Sequence, residues 1–185
     1  MTTGIIASRY ATALLRYVRQ DGSGEVVFSQ SEALSKAVEV VPALMPALCD
    51  PAAASLDRKM ALLHSAAGPE GLCPPMTRFL TLVIRQGRAS YLPQILRIFT
   101  DRYLRSQKML RASLVTVVPA PELEKTLAAL VKKETGYDLL ISARTDPDLI
   151  GGFVLTLGDE RIDASVSAQL RTLRREFTEM NRRIV

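Results

Sequence analysis

The sequence predicts an α+β protein: an N-terminal six-helix bundle over about residues 1–108, followed by a small C-terminal α/β domain over 109–185 with a mixed sheet and a β-hairpin. Three observations lead there. Up to about Arg111 apolar residues recur at helical spacing, interrupted by short Gly- and Pro-rich breaks. Beyond it the run Ala112–Val118 (ASLVTVV) is rich in β-branched residues and reads as a strand. A glycine-interrupted alternation then follows in IGGFVLTLGDERID, residues 150–163.

In the first part the breaks fall at Asp21–Gly24, Pro42, Pro46, Asp50-Pro51, Gly68-Pro69, Gly71–Pro75 and Gly87–Pro93. They delimit helices at about 4–20, 25–40, 42–49, 54–66, 74–86 and 91–110. Short loops between them favour antiparallel neighbours. In the second part Pro119-Ala-Pro121 ends the first strand, and Leu123, Leu127, Leu130 and Val131 mark a helix over about 122–135 that Gly136 caps. A second strand at about 138–144 makes strand–helix–strand, hence a parallel pair.

The stretch IGGFVLTLGDERID admits three readings. A Walker loop needs a lysine after its last glycine, whereas Asp159 and Glu160 follow Gly158 and would repel a nucleotide. An acid pair is conceivable, but a hairpin accounts for more residues. Phe153, Leu155 and Leu157 alternate as in a half-buried strand, and Gly158-Asp159 supplies a two-residue turn, with type II′ expected. Asp163 or Ser165 then caps the final helix. Gly151, Gly152, Gly158, Asp159, Asp163 and Ser165 are therefore expected to be a structural motif.

Composition narrows the chemistry. Hydrophobic residues make up 48% and charged ones 23%, ordinary values that argue for a packed globular fold. No run approaches the roughly 20 apolar residues of a membrane span. The start reads as an amphipathic helix rather than a secretory leader, and a cytoplasmic location is expected. Cys49 and Cys73 lack the neighbours of a zinc site or a disulfide framework, and His64 is the single histidine, in ALLHSA. Serine–histidine and cysteine–histidine catalysis would both depend on it. No catalytic residue, metal or cofactor is expected. The net charge of +5 leaves a basic nucleic-acid-binding adaptor as the alternative, but the arginines of the last helix are mixed with Glu176 and Glu179, and a solvated helix face is preferred.

Two features suggest partners. In the first helix Ile6, Ala7, Tyr10, Ala11, Ala13, Leu14, Leu15, Tyr17 and Val18 cover about 200° of arc, and in the fifth Met76, Phe79, Leu80, Leu82, Val83 and Ile84 cover about as much. One contact face uses less than that. Either these helices sit centrally in the bundle, or they share a groove for an amphipathic helix from a partner. The groove would involve Ala7, Tyr10, Ala11, Leu14, Phe79 and Leu82, with Ala7 and Ala11 small enough for close approach. In the last helix Val166, Leu170, Leu173, Phe177, Met180 and Ile184 recur in steps of four and three, a narrow seam for another helix. Its first part is expected to cover the small sheet, and Phe177, Met180 and Ile184 to meet a partner.

Asp146-Pro-Asp-Leu-Ile-Gly-Gly-Phe-Val-Leu, then Gly158-Asp159, Ile162-Asp163-Ala-Ser165-Val166 and Gln169-Leu170, resembles the signature of the ATP synthase delta subunit family, which includes the mitochondrial oligomycin-sensitivity-conferring protein. Arg9-Tyr10-Ala11 through Leu14 agrees with it. So do Leu48-Cys-Asp-Pro51 with Lys59, and Phe79-Leu-Thr-Leu-Val83 leading to Gly87-Arg88 and Leu92-Pro93. Ala164 stands where the family often has glycine. The resemblance implies a non-catalytic stator subunit, peripheral on the cytoplasmic face of the membrane. It implies a groove between the first and fifth helices that receives the N-terminal helix of an alpha subunit, and a C-terminal domain that meets the b subunits of the peripheral stalk.

Overall fold

The computed structural model describes the backbone at residues 2–50, 55–158 and 160–183, with side chains except at 2, 3 and 176–183. Among the described residues the fold is α+β, with eight α-helices and a mixed sheet. The chain divides into two compact units, Met1–Tyr103 and Leu104–Val185.

The first unit contains α1 (Thr2–Asp21), α2 (Gly24–Val40), α3 (Leu44–Cys49), α4 (Leu56–Ala66), α5 (Pro74–Arg85), a 3-10 turn at Ala89–Tyr91 and most of α6 (Leu92–Ser106). Local chemistry sets several boundaries. Gly22 takes a φ of 71° between α1 and α2, which costs glycine nothing. Ser55 caps α4 by accepting the Arg58 N–H. Pro74 and Pro75 open α5, where helical N–H groups have no partner anyway. One core runs through the unit, with Ala7, Ala11, Leu14, Val27, Leu34, Leu63, Met76, Leu80, Val83, Ile95 and Phe99 buried in it.

Three polar brackets fix the helices around this core. The Arg102 guanidinium of α6 donates to the Ser8 carbonyl and hydroxyl and to the Thr12 hydroxyl of α1. Gln30 of α2 accepts the Cys73 N–H and donates to the Gly71 carbonyl, holding the entry to α5. Buried Lys59 donates to the carbonyls of Leu48, at 3.0 Å, and Asp50, at 2.6 Å. Its ammonium sits at the C-terminus of α3, where free carbonyls and the helix dipole both favour a cation.

The second unit is built on β1 (Met109–Thr116), α7 (Pro121–Thr135), β2 (Asp138–Thr145), β3 (Phe153–Leu157), β4 (Glu160–Asp163) and α8 (Val166–Arg183). The strand order is β2-β1-β3-β4, with β1 parallel to β2 and antiparallel to β3, and β3 antiparallel to β4. Gly136, at φ 74°, closes α7 by donating to the Lys132 carbonyl. Leu114, Ala112 and Leu155 on one sheet face pack with Leu123 and Leu127 of α7.

Two expectations change. The sixth helix stops at Ser106 instead of continuing to about 110, and β1 begins at Met109. Lys108 turns the chain with a φ of 56°, and Met109, Leu110 and Arg111 then pair with Asp138, Leu139 and Leu140. Ladder hydrogen bonds outweigh the helical periodicity of those residues. Second, α8 does not bury its first turns on the sheet: Val166, Leu170 and Leu173 are 37%, 53% and 48% exposed. The described apolar contacts of that sheet core come from α7 instead.

Replacing the buried ammonium tests its bracket. Lys59→Met should destabilise the chain by about 2–3 kcal/mol, because two carbonyls lose a charged donor. The urea-unfolding midpoint measures this.

Candidate functional site

The site in the helical unit follows from how α1 is divided. Ala7, Ala11, Leu14 and Val18 fall at steps of four, three and four residues, and all are buried. Ile6, Tyr10, Ala13 and Tyr17 repeat the same steps one residue earlier, which rotates their stripe by about 100°. This second stripe lines a groove of about 570 Å³ together with Leu14, and Arg78, Phe79 and Leu82 of α5 form its other wall. On α5 the neighbouring Met76, Leu80 and Val83 face the core. The wide apolar arcs are thus split: part is core and part is groove wall.

Of the residues expected to share a groove, Tyr10, Leu14, Phe79 and Leu82 do line it. Ala7 and Ala11 do not. Both are 0% exposed, so the close approach their small side chains permit is to the chain's own core. Leu14 lies at the groove floor and is 1% exposed, whereas Leu82 is 50% exposed on the wall.

Sequence reasoning missed the arginines. Arg9, Arg78 and Arg88 also line the groove. Arg88 donates to the Tyr10 hydroxyl at 2.8 Å with its guanidinium 5.3 Å from the ring centre, and Arg78 donates to the Tyr17 hydroxyl at 3.2 Å. Tyr10 in turn meets Phe79 edge-on, with centroids 6.4 Å apart. These contacts hold the aromatic walls in one orientation. The arginine spacing alone carries no such signal, since Arg88 and Tyr10 are brought together only by the packing of α1 near the end of α5.

The glycine motif is a joint. Gly152 has a φ of 81°, and a Cβ there would lie 2.2 Å from the Ala164 carbonyl oxygen. Ala164 donates to the Phe153 carbonyl and Val166 to the Gly151 carbonyl, so the entry to β3 and the exit from β4 run backbone against backbone. Gly158, at φ 61°, stands first in the two-residue turn between Leu157 and Glu160. Both primed hairpin turns require a positive φ there. Asp159 lies outside the described residues.

The cap of α8 uses both candidates, in series. Ser165, 2% exposed, accepts the Ala168 N–H through its hydroxyl, and the Asp163 carboxylate accepts the Ser165 N–H at 3.1 Å. Hydrogen bonding by Ser165, through its hydroxyl and its amide, holds the Asp163 carboxyl below its ordinary value of 3.8, with help from Arg161 and Arg171. Along α8 the exposed Val166, Leu170 and Leu173 form an apolar row. The side chains of Phe177 and Met180, and all of Ile184, lie outside the described residues.

Among the described residues no group of His, Cys, Asp or Glu is placed to hold a metal ion. His64 accepts the Leu72 N–H at Nδ1, and Asp146 accepts the Asp148 N–H in a local turn. No described helix is long and apolar enough to cross a membrane.

A model of the ATP synthase delta (OSCP) subunit matches residues 6–177. Proteins named ATP synthase subunit delta are similar over the whole chain. The one from Phocaeicola vulgatus is 32% identical and covers 100% of each sequence, and that from Parabacteroides distasonis is 35% identical over 94% of this chain and 96% of its own. A chain in the mitochondrial ATP synthase hexamer of Toxoplasma gondii shares the fold, with a TM-score of 0.69 at 21% identity over 93% of this chain and 97% of that one. The class is therefore a family of ATP synthase subunits. This chain belongs to the ATP synthase delta (OSCP) subunit family.

Two predictions follow from the joint. Gly152→Ala should cost about 2–3 kcal/mol or more through left-handed strain plus the carbonyl clash, and Gly158→Ala, with open space around it, only about 1–2 kcal/mol. Chemical denaturation of both variants checks the ranking. Asp163 carries its charge more readily folded than unfolded, so its contribution is present above pH 3.8 and is lost as pH falls through the lower folded value. The stability gap between wild type and Asp163→Asn, from thermal melts, should therefore be constant near neutrality and close in acid.

Proposed function

We propose that this chain is the non-catalytic stator subunit of a proton-translocating rotary ATP synthase. It links the catalytic head to the peripheral stalk so that the head does not turn with the central shaft. Residues 1–108 act as a six-helix bundle that holds the head, and 109–185 as the domain that meets the stalk. The protein sits peripherally, on the cytoplasmic face of the membrane, through the complex. Its partners are the N-terminal helix of an alpha subunit and the b subunits, with no nucleic acid.

The observation that carries this reading is the apolar groove between α1 and α5 in a chain whose full length is similar to delta subunits. A helix laid along Ile6, Tyr10, Tyr17 and Leu82, over the buried Phe79, would remove four or five of its own apolar side chains from water and cover the part-exposed faces of those four. Each fully buried one is worth about 1.5–3 kcal/mol before ordering costs. That sum can reach nanomolar binding, about 12 kcal/mol. Exposed ion pairs, at about 0–1 kcal/mol each, could not resist the torque alone. The stalk contact uses the row from Val166 through Leu170 and Leu173 toward Phe177, Met180 and Ile184. The exposure of its first three members supports that assignment.

Leu82→Asp is the direct test, because a half-exposed side chain can be charged without unfolding the core. It should weaken binding of an alpha-subunit N-terminal peptide at least about 100-fold in calorimetric titration, by desolvating a carboxylate in an apolar interface. Leu14→Asp cannot serve, since its side chain belongs to the core. Undiminished affinity in Leu82→Asp would remove the groove from the head contact.

A further inference from the structure

The groove is apolar along its walls, and the charged side chains that line it are all basic. Arg9, Arg78 and Arg88 line it, and among the described residues no aspartate or glutamate does; Asp21 lines the adjoining hollow that shares Tyr17 and Arg78. The groups that orient two of these arginines are the hydroxyls of Tyr17 and Tyr10. A phenol is neutral, so it steers a guanidinium without cancelling its charge. Each guanidinium also keeps further N–H donors in a fixed planar fork, which suits a carboxylate better than a single carbonyl.

We propose that the segment filling this groove is an amphipathic helix whose apolar stripe is bordered on both sides by carboxylates. One border faces Arg9 on α1, and the other faces Arg78 and Arg88. The inference rests on the reading of the groove as a docking site for an alpha-subunit N-terminal helix, and adds the chemistry that selects the occupant. The apolar row from Ile6 to Tyr17 extends about 16 Å at the helical rise, so about three turns of the incoming helix make contact. Over that length carboxylates three or four residues apart share one side of a helix, and one such row can follow each border. Apolar burial supplies most of the affinity. The arginines supply orientation, faster encounter and rejection of helices with basic borders.

Calorimetric titration of the full chain tests this with two peptides of about 20 residues. The first carries the N-terminal sequence of the alpha subunit from the same complex, and the second is identical except that every Asp and Glu becomes Asn or Gln. The acidic peptide should bind about tenfold more tightly at low salt, with the advantage shrinking toward twofold in 0.5 M salt, as expected for charges near a surface. Arg9→Gln and Arg78→Gln, both at exposed positions, should each weaken the acidic peptide about threefold and leave the amide peptide unchanged. Equal affinities for the two peptides, or a cognate sequence with no carboxylate beside its apolar stripe, would overturn the acidic border and leave the docking site standing. If neither peptide binds the wild-type chain, the docking site and its acidic occupant fall together.

Discussion

Everything in the helical unit turns on the burial of Ala7 and Ala11. With methyl side chains at these two positions α1 can lie close against its neighbours, and any larger residue there would have to force them apart. Once that stripe faces inward, the one rotated by about 100° faces the gap beside α5. Tyr10 and Tyr17 are too large and too polar at their tips for the core, and they become groove walls with hydroxyls reaching arginine. The groove is therefore a by-product of a tight core. Changes that loosen the core should also spoil the groove.

The second unit solves a different problem. A short hairpin must deliver a helix in a defined direction from the edge of a four-stranded sheet. Backbone hydrogen bonds across the joint do this, made possible because Gly152 has no side chain to strike the Ala164 carbonyl. Asp163 and Ser165 then organise the first amides of α8. Within the C-terminal signature, Gly152, Asp163 and Ser165 are thus structural. They aim a helix whose apolar row remains exposed in the lone chain.

A subunit that links rather than reacts needs this economy. Neither unit gathers titratable groups around a reacting centre among the described residues. What both offer is apolar surface set by rigid neighbours: aromatic walls pinned by arginine in one, a capped helix in the other. Preorganised surfaces lose little ordering entropy on binding, so more of the burial energy appears as affinity.

Much of this was legible from residue order, because the decisive signals were local. Period and punctuation mark the helices, Gly136 marks the end of α7, and the alternation around Gly158 marks the hairpin. The width of the apolar arcs on α1 and α5 correctly says that each helix has more greasy surface than one contact uses. It cannot say which residues serve which contact. Packing of α1 against the rest of the core decided that Ala7 and Ala11 turn inward while Tyr10 and Leu82 face the groove. Likewise, the β2 ladder claimed Met109 to Arg111 from a helical pattern, and α7 rather than α8 supplied the described cover of the sheet core. The reason is the same in each case: periodicity reports that a side chain avoids water, and only the folded chain determines what shields it.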